Sequence, residues 1–162
     1  EGKSPLSGDA GGRGIPQFEA LNLGIGRAAY EAALDYAKLR IQGGRPIIEH
    51  QAIGTLLAGI AIKLEVARNM VWHAAWASDH PEAYTDRSLA DLPLETIARV
   101  FTSEMMHQVA LDAAECFGAM GVMRDMPLQK YVRDALICLH SDLSGKDAKL
   151  RIAEALAGYE RK

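Results

Sequence analysis

Apolar residues recur every third or fourth position from about Phe18 onward: Phe18, Leu21, Ile25, Ala28, Ala32 and Leu39 trace one face. That period predicts an amphipathic helix, stopped by Gly43-Gly44 and Pro46. A second, longer helix is expected from about Ile48 to Ser78. Leu56, Leu57, Ile60, Leu64, Ala67 and Val71 form its broad buried stripe. The polar run "SDHPEAYTDRSLADLP" makes the next connection, and Pro93 suits the first turn of a third helix. Ile97, Phe101, Met105 and Val109 carry that helix to Gly118 and Gly121. "RDMP" interrupts the chain again; a shorter helix follows to about Leu139, and a last one runs from about Gly145 to Tyr159. Ser144, with Asp147 three residues on, reads as the capping box of that last helix. Residues 1–15, rich in Gly, Ser and Pro and without a period, read as an irregular lead-in or linker. Residues 16–162 read as one helical domain, with no internal repeat and no convincing strand. The expected fold class is all-α: an antiparallel, up-down four-helix bundle with a short extra helix.

Composition agrees with that pattern and narrows the function. The 162 residues suffice for one domain with a substantial core. A net charge of -3 with scattered basic residues gives no footprint for nucleic acid and no polybasic membrane segment. The most apolar run, "AIGTLLAGIAI", meets Lys63 and Glu65 too soon to cross a bilayer. No signal peptide is visible. Two cysteines, Cys116 and Cys138, lack metal-type spacing and read as buried free thiols of a reducing, cytoplasmic protein.

Several candidate sites reduce to packing. "GIGRAA" from Gly24 matches a dinucleotide fingerprint, yet it lies inside a helical pattern with no strand before it. Close helix packing through small residues is the better reading. His50, His73, His80, His107 and His140 show no pairing on one helix face, so no metal is expected. Met105, Met106, Met120, Met123 and Met126 read as filling of the core and its joints.

"YAKLRIQGGRPIIEHQA" from Tyr36 is more informative. Arg40 lies at a helix end beside two glycines, Arg45 follows, and Gln51 opens the next helix. Cations beside glycine-exposed backbone N–H groups suit a phosphate or pyrophosphate. The same residues also read as arginines complementing a helix dipole before a glycine stop. Physics alone leaves both open.

The stretch extended by one residue, "YAKLRIQGGRPIIEHQAI", resembles a signature of the acyl-CoA dehydrogenase family, in its C-terminal helical domain. "CFGAMGVMRDMPLQKYVRDA" resembles the family's second signature, and "KLEVARNMVWHAAWASD" is similar to its second long helix. The resemblance runs from about residue 14 to residue 158. It implies that this chain is the last part of a longer flavoenzyme that forms dimers or tetramers through the bundle. Its cofactor would be FAD, its substrate an acyl-CoA, and its electron acceptor an electron-transfer flavoprotein or similar protein. It would sit in the cytoplasm, or in the mitochondrial matrix of a eukaryote.

Carried over by position, Arg40 falls on an arginine that contacts the pyrophosphate of FAD held mainly by a neighbouring subunit. Gln51 falls on a glutamine at the same cofactor. Gly43 stands where the family usually has an aromatic. Glu115 stands where a glutamine often faces the phosphates. Gly118 keeps the turn, and Ala119 replaces the family's second glycine. Ser144 and Lys146, at the start of the last helix, complete the implied cofactor contacts.

The family's base is a glutamate at a fixed distance beyond Arg-Asp-Ala. Counting on from Arg133 places Asp142 there, with Leu143 and Ser144 replacing the family's Gly-Thr. A carboxylate in an apolar pocket has its pKa raised and becomes a competent base for an α-proton. Its backbone N–H can donate to the thioester oxygen as enolate charge develops. Aspartate is shorter than glutamate by about 1.5 Å, one C–C bond. Three readings stay open: a substrate seated nearer, as in members that use an aspartate on alicyclic acyl-CoAs; a base from the first bundle helix, where Glu19 is the nearest acid; or a non-catalytic bundle used for oligomerisation or binding. Ile15 stands where many members carry an arginine near the CoA.

Overall fold

The computed structural model describes residues 17–80, 93–140 and 145–159. Among them are five α-helices: α1 (Gln17–Leu39), α2 (Gln51–Asp79), α3 (Leu94–Phe117), α4 (Leu128–His140) and α5 (Gly145–Ala157). The expected all-α class holds. α1 to α4 alternate in direction, and α5 packs beside α3 as the extra helix. No helix among the described residues is long and apolar enough to cross a membrane.

α1 and α3 run parallel, as first and third helices of an up-down bundle must. Arg99 Nε donates to Glu19 Oε1 (3.1 Å), Asn22 Nδ2 donates to Ser103 Oγ (3.1 Å), and the Tyr36 ring stacks on Phe117. The partners advance together along both helices, so the sequence offset stays nearly constant. α4 returns antiparallel: its Cys138 and Leu139 line a small cavity with Arg99, Val100, Ser103 and Glu104 of α3. That cavity is closed by Gly145 and Ala148 of α5. Lys149 Nζ donates to Glu104 Oε1 (2.5 Å), tying α5 to α3 from outside.

The α2 stripe is as expected: Leu57, Ile60, Leu64, Ala67 and Val71 are buried, with Ala74 added. The α1 face is not. Its buried residues are Glu19, Asn22, Gly26, Ala29 and Ala33, each one position on from the expected residue, and Ala37 in place of Leu39. Leu21 and Leu39 are 56% and 80% exposed. The reason is closeness of approach. At Gly26 a Cβ would overlap Met106 Sδ, so α1 nests against α3 through its smallest residues while larger ones flank the contact. The packing reading of "GIGRAA" therefore holds at Gly26, whereas a Cβ at Gly24 would meet nothing within 4 Å. Met106 is core and Met105, Met120 and Met126 pack against it, but Met123 is 48% exposed.

The sequence reading missed one element. Between α1 and α2, strands β1 (Ile41–Gln42) and β2 (Arg45–Pro46) pair antiparallel. Gly43 and Gly44 form their two-residue turn with φ of 61° and 80°, the left-handed values such a hairpin demands. α1 accordingly ends at Leu39, before the glycines, and a 3₁₀ turn (Ile47–Glu49) precedes α2.

Candidate functional site

The turn from Arg40 to Gln51 is fastened by four contacts. Arg40 N–H donates to Tyr36 O (2.8 Å), and Ile47 N–H donates to Arg40 O (2.8 Å), so the hairpin closes on the residue that follows the helix. His50 Nε2 lies 2.9 Å from Gln42 O, and Arg45 Nη2 lies 3.4 Å from His50 Nδ1. A carbonyl only accepts and a guanidinium only donates, so these partners select the tautomer protonated on Nε2.

This turn meets the end of α3 through aromatic stacking. Tyr36, one helical turn before Arg40, stacks on Phe117 with ring centroids 4.0 Å apart and planes 13° from parallel. Phe117 leads directly into Gly118, whose φ of 57° lies in the region that favours glycine. Gly118 N–H donates to Glu115 O and ends α3. At Gly121 a Cβ would collide with the Ala114 backbone, which fixes a second 3₁₀ turn, Gly118–Val122, against the helix. Arg40, Gln51, Glu115, Gly118 and Ala119 are therefore brought to one end of the bundle, all exposed.

Lys146 is not among them. It opens α5 beside the α3 segment Arg99–Glu104, which is ~20 Å from Gly118 at 1.5 Å rise per residue. Asp142 and Ser144, and with Ser144 the capping box, lie outside the described residues. Glu19 is described and fully buried. One of its carboxylate oxygens accepts from Arg99; burial pushes its pKa up, against its backbone hydrogen bond and Arg99. It is enclosed by the bundle, not presented to a ligand. Both thiols are free and buried, and burial pushes both up in pKa, away from reactivity. Among the described residues no three metal-ligating side chains converge.

The donor set at the Arg40 end can be tested against the group that the sequence implies. Neither Arg40 nor Gln51 makes a side-chain hydrogen bond or ion pair among the described residues, leaving a fork of N–H donors and an amide exposed. Such donors fit a pyrophosphate. Glu115 does not: its exposed carboxylate would face phosphate oxygens with like charge.

Residues 17–140 match the family described as "Acyl-CoA dehydrogenase, C-terminal domain". The chain belongs to the acyl-CoA dehydrogenase family. It is 38% identical over 139 residues to 3-sulfinopropanoyl-CoA desulfinase of Paraburkholderia xenovorans, covering 85% of this chain and 34% of that protein. It is 32% identical over 120 residues to cyclohexane-1-carbonyl-CoA dehydrogenase of Geobacter metallireducens, covering 74% of this chain and 30% of the relative. Among solved structures, butyryl-CoA dehydrogenase of Megasphaera elsdenii superposes with a TM-score of 0.76 at 26% identity. That match covers 88% of this chain and 36% of the other. The chain thus spans about a third of the length of the relatives it matches.

The sequence offered Arg45 as a cation of this turn but missed His50, which holds it. The Gly-Gly pair between Gln42 and Arg45 was the available signal, since a two-residue glycine turn predicts a hairpin.

Proposed function

We propose that this acyl-CoA dehydrogenase-family domain serves a flavin-dependent enzyme acting on an acyl-CoA thioester, with Arg40 and Gln51 contacting the pyrophosphate of FAD. The observation that carries the reading is the Tyr36–Phe117 stack. It sets Arg40, which has no side-chain partner among the described residues, at the same end as Gln51 and the Gly118 turn. The matched relatives act on different chemistry by name, a desulfination and a dehydrogenation, but all three names contain a CoA thioester. The CoA thioester is common to all three names, and dehydrogenation, proposed here as α,β, to two of them.

The separation of Lys146 from the Arg40 end supports a homo-oligomer. One copy does not bring both groups to a single pyrophosphate, whereas neighbouring copies can share two cofactors between them. Within the proposal, Asp142 takes the α-proton and its backbone N–H donates to the thioester oxygen. FAD held at the Arg40 end would supply the acceptor for the β-hydride. Asp142→Asn in the full-length protein is expected to abolish flavin bleaching by substrate while leaving flavin bound. Undiminished bleaching removes Asp142 from the role.

A second reading, a non-catalytic bundle for oligomerisation, is favoured by exposed Glu115 at the proposed phosphate end. Full-length protein that purifies colourless, and stays so after incubation with FAD, would decide for it.

A further inference from the structure

In the hairpin, Gln42 lies opposite Arg45 and Ile41 opposite Pro46. The Ile47 N–H bond to Arg40 O carries the ladder one step further. Cross-strand partners share a face, and alternate residues of a strand return to it. Arg40, Gln42 and Arg45 therefore lie on one face of the ribbon. Arg40 and Arg45 are diagonal neighbours there, on the order of 7–8 Å apart.

Two like charges on one face repel each other, only weakly at that separation in water. Among the described residues no carboxylate pairs with either arginine. Arg45 is instead held by an imidazole: His50 Nδ1 accepts from its Nη2 (3.4 Å) while Nε2 donates to Gln42 O (2.9 Å). The His50 ring lies against Gly43, where a Cβ would come within 3.4 Å of Cε1. An uncharged acceptor thus orients the second guanidinium without neutralising it.

We propose that Arg45, positioned by His50, is a second phosphate-binding cation of this turn, so that Arg40 and Arg45 together clamp a diphosphate. This rests on the reading of Arg40 as a pyrophosphate contact. Gln42 O and the Gly43-Gly44 turn fix where His50 stands, His50 fixes Arg45, and two forked cations on one face match two adjacent phosphates.

The test titrates the intact chain with inorganic pyrophosphate and, separately, with orthophosphate, by calorimetry or NMR. The wild type is expected to prefer pyrophosphate. Arg45→Ala should weaken pyrophosphate binding by at least about tenfold, the usual worth of a hydrogen bond to a charged group. It should barely change orthophosphate binding, so the preference disappears. Arg45→Lys, which keeps the charge and loses the fork, should fall between. His50→Ala should reduce the preference, and the Arg45→Ala/His50→Ala double variant should lose no more than Arg45→Ala alone. An unchanged preference in Arg45→Ala, while Arg40→Ala loses affinity, overturns the proposal and leaves the Arg40 reading standing. Additive losses in the double variant overturn the positioning role of His50. A wild type that does not distinguish the two anions, or an Arg40→Ala variant that binds pyrophosphate normally, sinks the Arg40 reading itself.

Discussion

Tyr36 and Phe117 stack at 4.0 Å between ring centroids, joining the last turn of α1 to the last residue of α3. The contact is structural and also places the candidate site, because Arg40 and Gly118 lie just beyond its two members. Phe117 is 7% exposed, so Phe117→Ala removes nearly a whole buried aromatic. The expected loss is about 3–5 kcal/mol, measured by urea unfolding. Tyr36→Phe keeps the ring pair and should cost far less. Equal losses for the two would mean that the stack is not what holds the two helix ends together.

Glycines of the chain separate into those that packing requires and those that it does not. At Gly121 a Cβ would run into the backbone of Ala114 rather than a movable side chain. Gly121→Ala should therefore destabilise by about 1–3 kcal/mol. Gly24 is exposed in the interior of α1 with nothing within 4 Å of a Cβ. Gly24→Ala should stabilise by roughly 0.5–1 kcal/mol through helix propensity alone. Thermal melts of the two variants, shifting in opposite directions, check the pair.

Those glycines also show what the sequence could reveal. Helix number, order and approximate ends were legible, because a period near four over twenty residues is a strong signal. Which side of α1 is buried was not. Hydrophobic size points to Leu21 and Leu39, but the face against α3 is chosen by small residues, Gly26, Ala29, Ala33 and Ala37, that let two backbones approach. It also carries Glu19 and Asn22, whose burial depends on partners some eighty residues away, Arg99 and Ser103. The hairpin went unseen because two-residue strands are too short for an alternation of period two. At the site, Arg40, Gln51 and Gly118 were legible by resemblance. The Arg45–His50 contact spans a turn whose geometry only the fold reveals.

Glu19 gives the stability of the bundle a pH dependence of its own. Burial raises its pKa above the ordinary value of 4.5, outweighing its backbone hydrogen bond and Arg99, while Glu95 adds to the rise. The group is protonated to higher pH in the folded chain than in the unfolded one. Its favourable contribution is complete below pH 4.5 and is lost as pH rises through the folded value. Glu19→Gln removes the titration. The difference in unfolding free energy, wild type minus variant, should fall as pH rises from about 4 and level off above the folded pKa. A difference that grows with pH would show that Arg99 outweighs burial.

Lys63 Nζ and Asp112 Oδ2 lie 2.5 Å apart between α2 and α3, with side chains 31% and 12% exposed. Gln108 Nε2 donates to the other carboxylate oxygen (2.7 Å). The two ends of this pair are not equivalent. Removing the acid leaves a lysine with a flexible stem and a third of its surface in water. Removing the lysine strands a nearly buried carboxylate with one amide donor. Lys63→Met should therefore cost more than Asp112→Asn, about 2 kcal/mol against about 1. Guanidinium unfolding of both variants tests the order, and a reversed order refutes it.

The outer face of α2 carries the last prediction. Ile62, Val66, Trp72 and Trp76 are 65%, 47%, 63% and 47% exposed; at 100° per residue the first two and Trp76 lie away from Leu57, Ile60, Leu64 and Val71, with Trp72 at the flank. Four large apolar side chains in one stripe exceed the scattered exposure usual on a monomer. If the proposed homo-oligomer uses this face, a charge buried in it desolvates at a cost that association cannot recover. Val66→Glu and Trp72→Glu should each shift sedimentation towards the monomer by at least about tenfold in dissociation constant, while the exposed change Asp35→Asn on α1 should not. Because the stripe faces away from the core, helix content by circular dichroism should stay at the wild-type level. An unaltered sedimentation profile in both α2 variants would place the oligomer contact on another face of the bundle.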